Sequence, residues 1–382
     1  MKEYLKYLKG DRVIWIIVSI MLAFSLVTVY SFVPILVKIE QGTPSGYLMK
    51  HFVYVLIGFV SMYMIHRIDS KYIFQVSKFA YYLAILLLVF TMFFGVKVNG
   101  AGRWISIMSL TFQTSDFAKL ALILYISRIL VKRKEKLNDW KEGIRPLMVP
   151  IIVICVLIMK DNFSTAAMLF MISMLLLFLG KVPFIKLMTI GGIGLAGAAL
   201  LIALQLSIPQ IKILPRLETW KNRIVNRMDS EENLIENAQA NNAKLAIHNG
   251  SVFGQGVGDG KLKEYLPEAY ADFYYSSYVE EFGSVSALIL VLLYLILLFR
   301  ILRIAVNAKN EFHSYAALGI GIHLMTQACI NMLVCTGVFP VTGQNMPFLA
   351  MGGSALVMAC VSVGVVQSFA REQEKVKKEA VS

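Results

Sequence analysis

Residues 13–37 form an uninterrupted apolar run, VIWIIVSIMLAFSLVTVYSFVPILV, without a single charged side chain. A helix needs about 20 apolar residues to cross the hydrocarbon core of a bilayer. The run is also longer than the roughly 7–15 apolar residues of a secretory signal peptide, and no small-residue cleavage site ends it. We therefore interpret it as an uncleaved first membrane span.

The composition of the whole chain extends this interpretation. Of 382 residues, 57% are hydrophobic and 16% are charged, whereas soluble domains are about 45–50% apolar and about 25% charged. So apolar a chain needs the hydrocarbon core of a bilayer around much of its surface. In the bilayer, α-helices satisfy the hydrogen-bonding groups of their own backbone. The sequence predicts an all-α integral membrane protein with about ten transmembrane helices, near residues 13–37, 50–68, 72–96, 114–131, 146–160, 164–181, 186–207, 273–299, 314–337 and 347–370.

The basic residues predict the orientation of these spans. The formal net charge is +13, and cytoplasmic loops of membrane proteins are enriched in Lys and Arg. If the N-terminus is cytoplasmic, the short inner segments are rich in Lys and Arg and the short outer segments are poor in them. We therefore expect both termini inside the cell, and the positive charge needs no nucleic-acid partner.

One long outer loop, residues 208–271, separates spans seven and eight. Residues 208–228 mix apolar side chains with five cations, a pattern typical of an amphipathic helix in the membrane interface but also of a solvated loop helix. A glycine-rich run, HNGSVFGQGVGDG, follows at 248–260. We expect one ten-span domain over residues 1–371 and a charged cytoplasmic tail over residues 372–382.

Polar residues at the predicted outer ends of the spans form four clusters. Charged groups within or against membrane spans are costly and often functional. The first cluster, residues 99–120, places Arg103 and Trp104 in a loop and brings Asp116 and Lys119 onto one helix face. Asp116 and Lys119 would form a structural ion pair, or Arg103 and Lys119 would hold an anionic phosphate; Trp104 also fits an interfacial aromatic.

The second and third clusters contain further acids. In residues 159–166, MKDNFSTA, we favour Asp161 with Ser164 or Thr165 as the cap of span six. In residues 267–284, Asp272 stands where the loop becomes span eight, as a helix cap or a functional acid. The adjacent Glu280 and Glu281 cannot face the same way, so at least one points into the bundle.

The fourth cluster, GVFPVTGQNMPFLAMGGSA at 337–355, has two prolines, four glycines and no charge. It predicts an irregular entrance to span ten. Irregular backbone at membrane depth is tolerated where it is buried in protein or lines a cavity. The segment is therefore a tight re-entrant turn, the wall of a site, or both.

In this order, the clusters resemble the motifs of the SEDS family, which includes FtsW and RodA. The resemblance covers nearly the whole chain, with NGAGRWI and FQTSDFAKL, KDNFSTA, GSVFGQGVG, LPEAYADFYYSSYVEEFG and PVTGQNMPFLAMGGSA. Gly102 stands where the family usually has a second basic residue, and Ala350 and Met351 replace Ser and Tyr. Residues 9–15 and 51–68 look more like division-type FtsW than elongation-type RodA.

The resemblance implies a peptidoglycan glycosyltransferase that polymerises lipid II at the outer face of the bacterial cytoplasmic membrane and releases undecaprenyl pyrophosphate. It makes Asp272 the expected general base. The expected substrate-binding residues are Arg103, Trp104, Lys119, Arg216, Arg223, Gln239, Glu280 and Glu281. The expected structural or wall residues are Asp161, Thr165, Pro340, Gly343, Pro347, Gly352, Gly353 and Ser354.

The resemblance also implies partners: a class B penicillin-binding protein and other proteins of the division or elongation machinery. A divalent cation, Mg²⁺ or Mn²⁺, would bridge Asp272 or the phosphates, although no metal-ligand spacing indicates one. Two other functions stay open. A lipid II flippase would need a polar path to the inner leaflet, and a non-catalytic scaffold of the division machinery would need no catalytic residues.

Overall fold

The computed structural model describes residues 9–40, 42–98, 101–107, 110–207, 234–266 and 268–379. Within these ranges the chain is mostly helical. The α-helices are α1 Arg12–Glu40, α2 Pro44–His66, α3 Ser70–Phe94, α4 Thr114–Lys132, α5 Arg145–Met159, α6 Phe163–Leu179, α7 Phe184–Ser207, α8 Leu234–Asn249, α9 Tyr274–Val306, α10 Glu311–Cys335 and α11 Gly353–Glu379. Ten of them coincide with the ten predicted apolar runs, and α8 lies in the long loop.

Among the described residues, seven helices are long and apolar enough to cross a membrane: α1, α2, α3, α5 with the π-helical turn Trp140–Ile144 before it, α9, α10 and α11. α6 is apolar but has only 17 residues. α4 is less apolar because Asp116, Lys119, Arg128 and Lys132 lie within its 19 residues. The chain is therefore a multi-pass membrane protein.

Two helix boundaries depart from the apolar runs, and a helix cap explains the first of them. α2 begins at Pro44, well before the expected residue 50, because the side chain of Thr43 accepts a hydrogen bond from the backbone N of Gly46 and proline suits the first turn. α11 begins only at Gly353 and continues to Glu379. It therefore runs through the boundary expected at residues 371/372.

A small antiparallel sheet stands between α3 and α4, so the all-α expectation was incomplete. Its strands are β1 Val96–Val98, β2 Ala101–Ile107 and β3 Leu110–Gln113, in the order β1-β2-β3. Trp104 pairs with Gln113, and Ile105 with Phe112. Such short strands carry little apolar periodicity, and their stability comes from pairing with each other.

The helices enclose a continuous apolar core. α10 packs against α4, α6, α9 and α11, and α2 packs along α11. The contact of α2 with α11 is close because it contains small residues: a methyl group on Gly364 would lie 2.9 Å from the carbonyl oxygen of Met62. Small residues permit such close approach of membrane helices.

Candidate active site

The four polar clusters meet at one end of the helix bundle. α4, α6, α9 and α11 begin at this end, and α10 ends there. The irregular segment between α10 and α11, residues 336–352, lies across these helix ends. We call it the wall segment; it contacts the second and third clusters, and Ser354, two residues beyond it in α11, contacts the first.

Hydrogen bonds hold the wall segment against α6 and against the turn before α9. Gln344 Nε2 donates to Thr165 Oγ1 at 2.7 Å, and the backbone N of Met351 donates to the carbonyl oxygen of Tyr270 at 3.0 Å. The hydroxyl of Tyr294 on α9 donates to the carbonyl oxygen of Pro347. These hydrogen bonds hold the fourth cluster in one ordered arrangement. Its backbone is non-helical, which confirms the predicted irregular backbone.

Asp272 lies in the turn that leads into α9. Its backbone N donates to the carbonyl oxygen of Glu268 at 3.0 Å, and its side chain is half-buried. Gly343 of the wall segment has a φ of +70°. A methyl group on Gly343 would lie 3.8 Å from Oδ2 of Asp272 and 3.4 Å from Nδ2 of Asn162. A methyl group would make ordinary van der Waals contacts there, so the bare glycine leaves a space of about one methyl group beside the carboxylate.

Asn331, near the end of α10, organises the backbone around Asp272, and the sequence analysis missed it. The residue is 1% exposed. Its Nδ2 lies 3.0 Å from the carbonyl oxygen of Asp272, 3.2 Å from that of Ala271 and 2.9 Å from that of Gln344. Its Oδ1 accepts from the backbone N of Tyr275 at 3.3 Å. A side-chain amide within an apolar helix is the signal that would have found it.

The cap of α6 is Asn162, which corrects the expectation for Asp161. The side chain of Asn162 accepts a hydrogen bond from the backbone N of Thr165 at 3.0 Å. Asn162 has the extended backbone of an N-cap, with φ −151° and ψ 97°. Its Nδ2 reaches the carbonyl oxygen of Thr342 at 3.5 Å, so the cap also contacts the wall segment.

Asp116 and Lys119 form the predicted ion pair on one face of α4. The Lys119 Nζ–Asp116 Oδ1 distance is 2.8 Å, and the side chains are 4% and 6% exposed, respectively. Ser354 Oγ donates to Asp116 Oδ2 at 3.0 Å and accepts from the backbone N of Gln113 at 3.0 Å. Of the two roles considered for Lys119, these contacts favour the structural pair, because its ammonium is buried against a carboxylate.

Arg103 and Trp104 lie on β2, next to the first turn of α4. The guanidinium of Arg103 lies over the Trp104 ring, 4.8 Å from its centroid, and both side chains are half-buried. Trp104 pairs with Gln113, whose backbone N is bonded to Ser354. The sheet thus connects Arg103 to Ser354 at the start of α11, just after the wall segment, while Asp272 adjoins Gly343 in the middle of that segment.

The remaining predicted binding residues divide into two groups. Arg216 and Arg223 lie outside the described residues. Gln239 is half-buried on α8. Glu280 and Glu281 are both buried, at 0% and 3% exposure, which confirms the expected inward direction.

The contacts that Glu280 and Glu281 make within the protein are structural, and their expected role as substrate ligands stays a prediction. Glu281 Oε1 accepts hydrogen bonds from Lys263 Nζ and from Ser31 Oγ on α1. Glu280 Oε1 accepts from the backbone N of Leu262 at 3.0 Å. Both carboxylates therefore hold the long loop against α9 and α1.

The glycine-rich loop fills a break in α9. At Gly283 the backbone is non-helical, with φ 76° and ψ 175°. Ser284 and Val285 therefore donate not to the helix but to the carbonyl oxygens of Ser251 and Val252, at 3.0 and 3.2 Å. In return, the carbonyl oxygens of Glu280 and Glu281 accept from the backbone N atoms of residues 255 and 256, at 2.9 and 3.0 Å.

Glycines are required where the loop enters this break. A methyl group on Gly250 would lie 2.1 Å from the carbonyl oxygen of Val279, and one on Gly254 would lie 2.2 Å from that of Glu281. Gly254 also has a φ of +84°. The backbone of residues 250–256, which we call the wedge, thus replaces the hydrogen bonds that the kinked helix has lost.

The other predicted wall residues line the entrance of α11. A methyl group on Gly353 would lie 2.4 Å from the Tyr54 ring, and one on Gly352 would lie 2.2 Å from Asn345 Nδ2. Pro347 is buried and Pro340 is exposed. Gly353 is therefore needed for close packing against α2, and Gly352 for close packing against Asn345 of the wall segment.

A small polar cavity extends from the Asp116–Lys119 pair towards the middle of the bundle. It is also lined by His323, Gln327 and Ser362, and its volume is about 10 Å³. A cavity needs roughly 10–15 Å³ to hold one water molecule. In this conformation the cavity holds at most about one water.

No group of three or more His, Cys, Asp or Glu side chains comes together within the described part of the chain. A protein-built cage for Mg²⁺ or Mn²⁺ is therefore not present among those residues. A divalent cation held by fewer of these side chains would complete its coordination with water or with oxygens of a bound substrate.

Comparison with known proteins identifies the family. A model of the FtsW/RodA/SpoVE cell cycle proteins matches residues 11–375. The chain is 32% identical to a probable peptidoglycan glycosyltransferase FtsW of Geobacter sp. (strain M18) over 362 residues, which cover 93% of this chain and 95% of the relative. It is 30% identical to a protein of the same description from Trichlorobacter lovleyi over 360 residues, 93% of this chain and 92% of that one.

The fold also matches solved structures. One chain of a peptidoglycan synthase complex aligns with a TM-score of 0.73 at 21% identity, covering 95% of this chain and 98% of that chain. The rod shape determining protein RodA of Thermus thermophilus aligns with a TM-score of 0.68 at 21% identity, covering 95% and 97%. These matches confirm the resemblance found in the motifs: the chain belongs to the FtsW/RodA/SpoVE family of cell cycle proteins.

Proposed function

We propose that this protein is a peptidoglycan glycosyltransferase that polymerises lipid II into glycan strands. The observation that carries the proposal is the position of Asp272. Its half-buried carboxylate lies beside Gly343, at the end of the bundle where the four polar clusters meet. Relatives that match over more than nine-tenths of the chain are described as probable peptidoglycan glycosyltransferases.

Asp272 is the proposed general base of this reaction. Glycosyl transfer requires removal of the proton from the 4-hydroxyl of the acceptor sugar as the oxygen attacks the anomeric carbon of the donor. The bonds from Asn331 to the carbonyl oxygens of residues 271 and 272 fix the backbone that carries the carboxylate. The open space at Gly343 gives an acceptor hydroxyl room to approach it.

Arg103 is the proposed partner of the departing undecaprenyl pyrophosphate. A planar guanidinium binds phosphate oxygens through two parallel hydrogen bonds and remains charged throughout. Arg216 and Arg223 are further candidates. Lys119 contributes indirectly, because its pair with Asp116 holds Ser354 and with it the end of the wall segment. Should Mg²⁺ or Mn²⁺ take part, Asp272 and the pyrophosphate would hold it.

The proposed topology has ten spans with both termini in the cytoplasm of the bacterial cell. The seven long apolar helices support it, together with α4, α6 and α7, which have 19, 17 and 24 residues. This topology places the candidate site on the outer face of the cytoplasmic membrane. There it would meet lipid II after its disaccharide has been exposed outside.

A class B penicillin-binding protein is the proposed partner. Support comes from the fold match to a chain of a peptidoglycan synthase complex. The FtsW descriptions of the relatives favour a role in division with other septal proteins, rather than in elongation.

Lipid II flipping is the second candidate, because polar residues extend inward from Asp116 and Lys119 to His323. The narrow cavity argues against it, since a volume of about 10 Å³ leaves no passage for a sugar headgroup. A non-catalytic scaffold would not explain the space kept beside Asp272.

The test is polymerisation of labelled lipid II by purified protein, alone and with its cognate penicillin-binding protein. We expect Asp272→Asn to polymerise lipid II at least 100-fold more slowly than the wild type. Its membrane insertion and its unfolding should be those of the wild type. Asp259→Asn, an exposed acid of the same outer loop, serves as the matched control and should keep wild-type activity. Full polymerisation by Asp272→Asn would refute the proposed role. Lipid II translocation without polymer by the wild type would favour the flippase.

A further inference from the structure

The outer part of α9, residues 274–282, is a separate short helical segment. Gly283 breaks the helix below it, and Asp272 lies just before its first residue. Any tilt of this segment about Gly283 would therefore move the backbone of Asp272. What holds the segment is consequently relevant to the geometry of the site.

Two sets of contacts hold it at the Gly283 end. The first is the wedge, whose four backbone hydrogen bonds span the break at Gly283. The second is a buried polar cluster built on Lys263, which belongs to the 3₁₀ turn Leu262–Tyr265. Its side chain is 4% exposed, and it pairs with Glu281, which is 3% exposed.

The Lys263 ammonium joins three parts of the molecule. Besides Glu281 it donates to Ser31 Oγ at 2.6 Å, to the Ser31 carbonyl oxygen at 3.1 Å and to the Gly258 carbonyl oxygen at 3.1 Å. α1, the long loop and the outer segment of α9 therefore meet at one charge. A buried ammonium with this many acceptors is held in a single geometry.

We propose that the buried Lys263–Glu281 pair is a positioning device for Asp272. It locks the outer segment of α9 to the loop and to α1, so that the wedge stays in the break and the carboxylate of Asp272 stays beside Gly343. This inference rests on the proposed function. Lys263 and Glu281 are positioning residues, since they act on the reaction through the backbone of α9.

The chain contains a natural comparison. Lys38 of α1 and Glu264 of the same 3₁₀ turn also form an ion pair, at 3.0 Å, but their side chains are 66% and 51% exposed. It joins the same two elements at the surface. Exposed pairs contribute little because water and salt screen them, whereas removal of one partner of a buried pair leaves an uncompensated charge.

The experiment compares Lys263→Met, Glu281→Gln and the double variant, with Lys38→Met as the control. Initial rates with labelled lipid II give kcat and KM for each purified full-length protein with its penicillin-binding protein. Hydrogen–deuterium exchange of the same samples follows the amides of residues 251–256 and 284–285. Asp272→Asn is measured in parallel.

For Lys263→Met we expect a loss in kcat of at least tenfold, a KM within twofold of wild type, and at least tenfold faster exchange at the wedge and at residues 284–285. The double variant should recover most of the protection and kcat, because no buried charge is left unpaired. Lys38→Met should stay within twofold of wild type in each measurement.

Three outcomes would overturn the proposal. One is wild-type kcat in Lys263→Met. Another is a loss of kcat with unchanged exchange, which would mean that Lys263 contacts the substrate. The third is a double variant as inactive as the single one despite restored protection. If Lys263→Met does not insert into the membrane, kcat and exchange are compared between Glu281→Gln and the wild type instead. Glutamine has the shape of glutamate and can still accept the hydrogen bond from Ser31. Full activity of Asp272→Asn would refute only the role of Asp272 as the base. The exchange rates would still show whether the Lys263–Glu281 pair holds the outer segment of α9.

Discussion

The side-chain amide of Asn331 lies 3.0 Å from the carbonyl oxygen of Asp272, across the gap between the end of α10 and the start of α9. The same amide bonds to Gln344 of the wall segment at 2.9 Å. One buried side chain therefore holds together the turn that carries the candidate base and the wall that faces it.

Replacement of Asn331 should impair activity more than stability. Asn331→Leu removes a donor to three carbonyl groups and leaves them in an apolar environment, at a cost of about 2 kcal/mol. We expect a fall in kcat of at least tenfold on lipid II and a modest fall in the unfolding temperature in detergent. Asn307→Ala, which removes an exposed amide at the other end of α9, should change neither. Wild-type kcat in Asn331→Leu would show that this amide does not position Asp272.

The effects of substitutions at Asp116 and Lys119, the buried pair on α4, on the unfolding temperature should be strongly coupled. Lys119→Met leaves Asp116 buried and uncompensated, and loss of one partner of such a pair costs about 3–5 kcal/mol. We expect Lys119→Met to unfold at a clearly lower temperature, and Asp116→Asn/Lys119→Met to recover most of the loss. If the double variant lost as much in unfolding temperature as Asp116→Asn and Lys119→Met lose together, this additivity would contradict the pairing seen here.

The wedge predicts a difference between two glycines of the same loop. Gly254→Ala and Gly258→Ala both place alanine at a positive φ, +84° and +91°, a strain of about 1–2 kcal/mol. Only Gly254 has no room, since its methyl group would meet the carbonyl oxygen of Glu281, while nothing lies within 4 Å at Gly258. Gly254→Ala should therefore lower the unfolding temperature and kcat more than Gly258→Ala. Equal effects would mean that the steric fit of the wedge is unimportant.

Two substitutions of Arg103 should lower the reaction rate to different degrees. Arg103→Lys keeps the charge but loses the planar fork, and Arg103→Gln loses both. If Arg103 stabilises the departing pyrophosphate, kcat should fall about tenfold in the first variant and at least 100-fold in the second. Lys261→Gln, an exposed cation of the outer loop, controls for general charge and should stay near wild type. Equal rates for all three variants would remove Arg103 from the site.

The amino-acid sequence by itself determined the membrane class, the positions of the apolar runs with which described helices coincide, and the four polar clusters. These features depend on local composition: an apolar run of sufficient length seeks the bilayer whatever surrounds it. The motifs also determined the family. Local composition did not reveal the sheet at residues 96–113, because its strands are short and are stabilised by pairing.

Only the tertiary structure decided which polar residues belong together. Glu281 and Lys263 are 18 positions apart, and Ser31 lies 232 positions from Lys263, yet they share one buried charge cluster. Lys119 was a candidate phosphate ligand until its contact with Asp116 was seen, and Asn331 had no motif to mark it. A side chain's role depends on which partners surround it once water has been excluded, and chain folding alone brings those partners together.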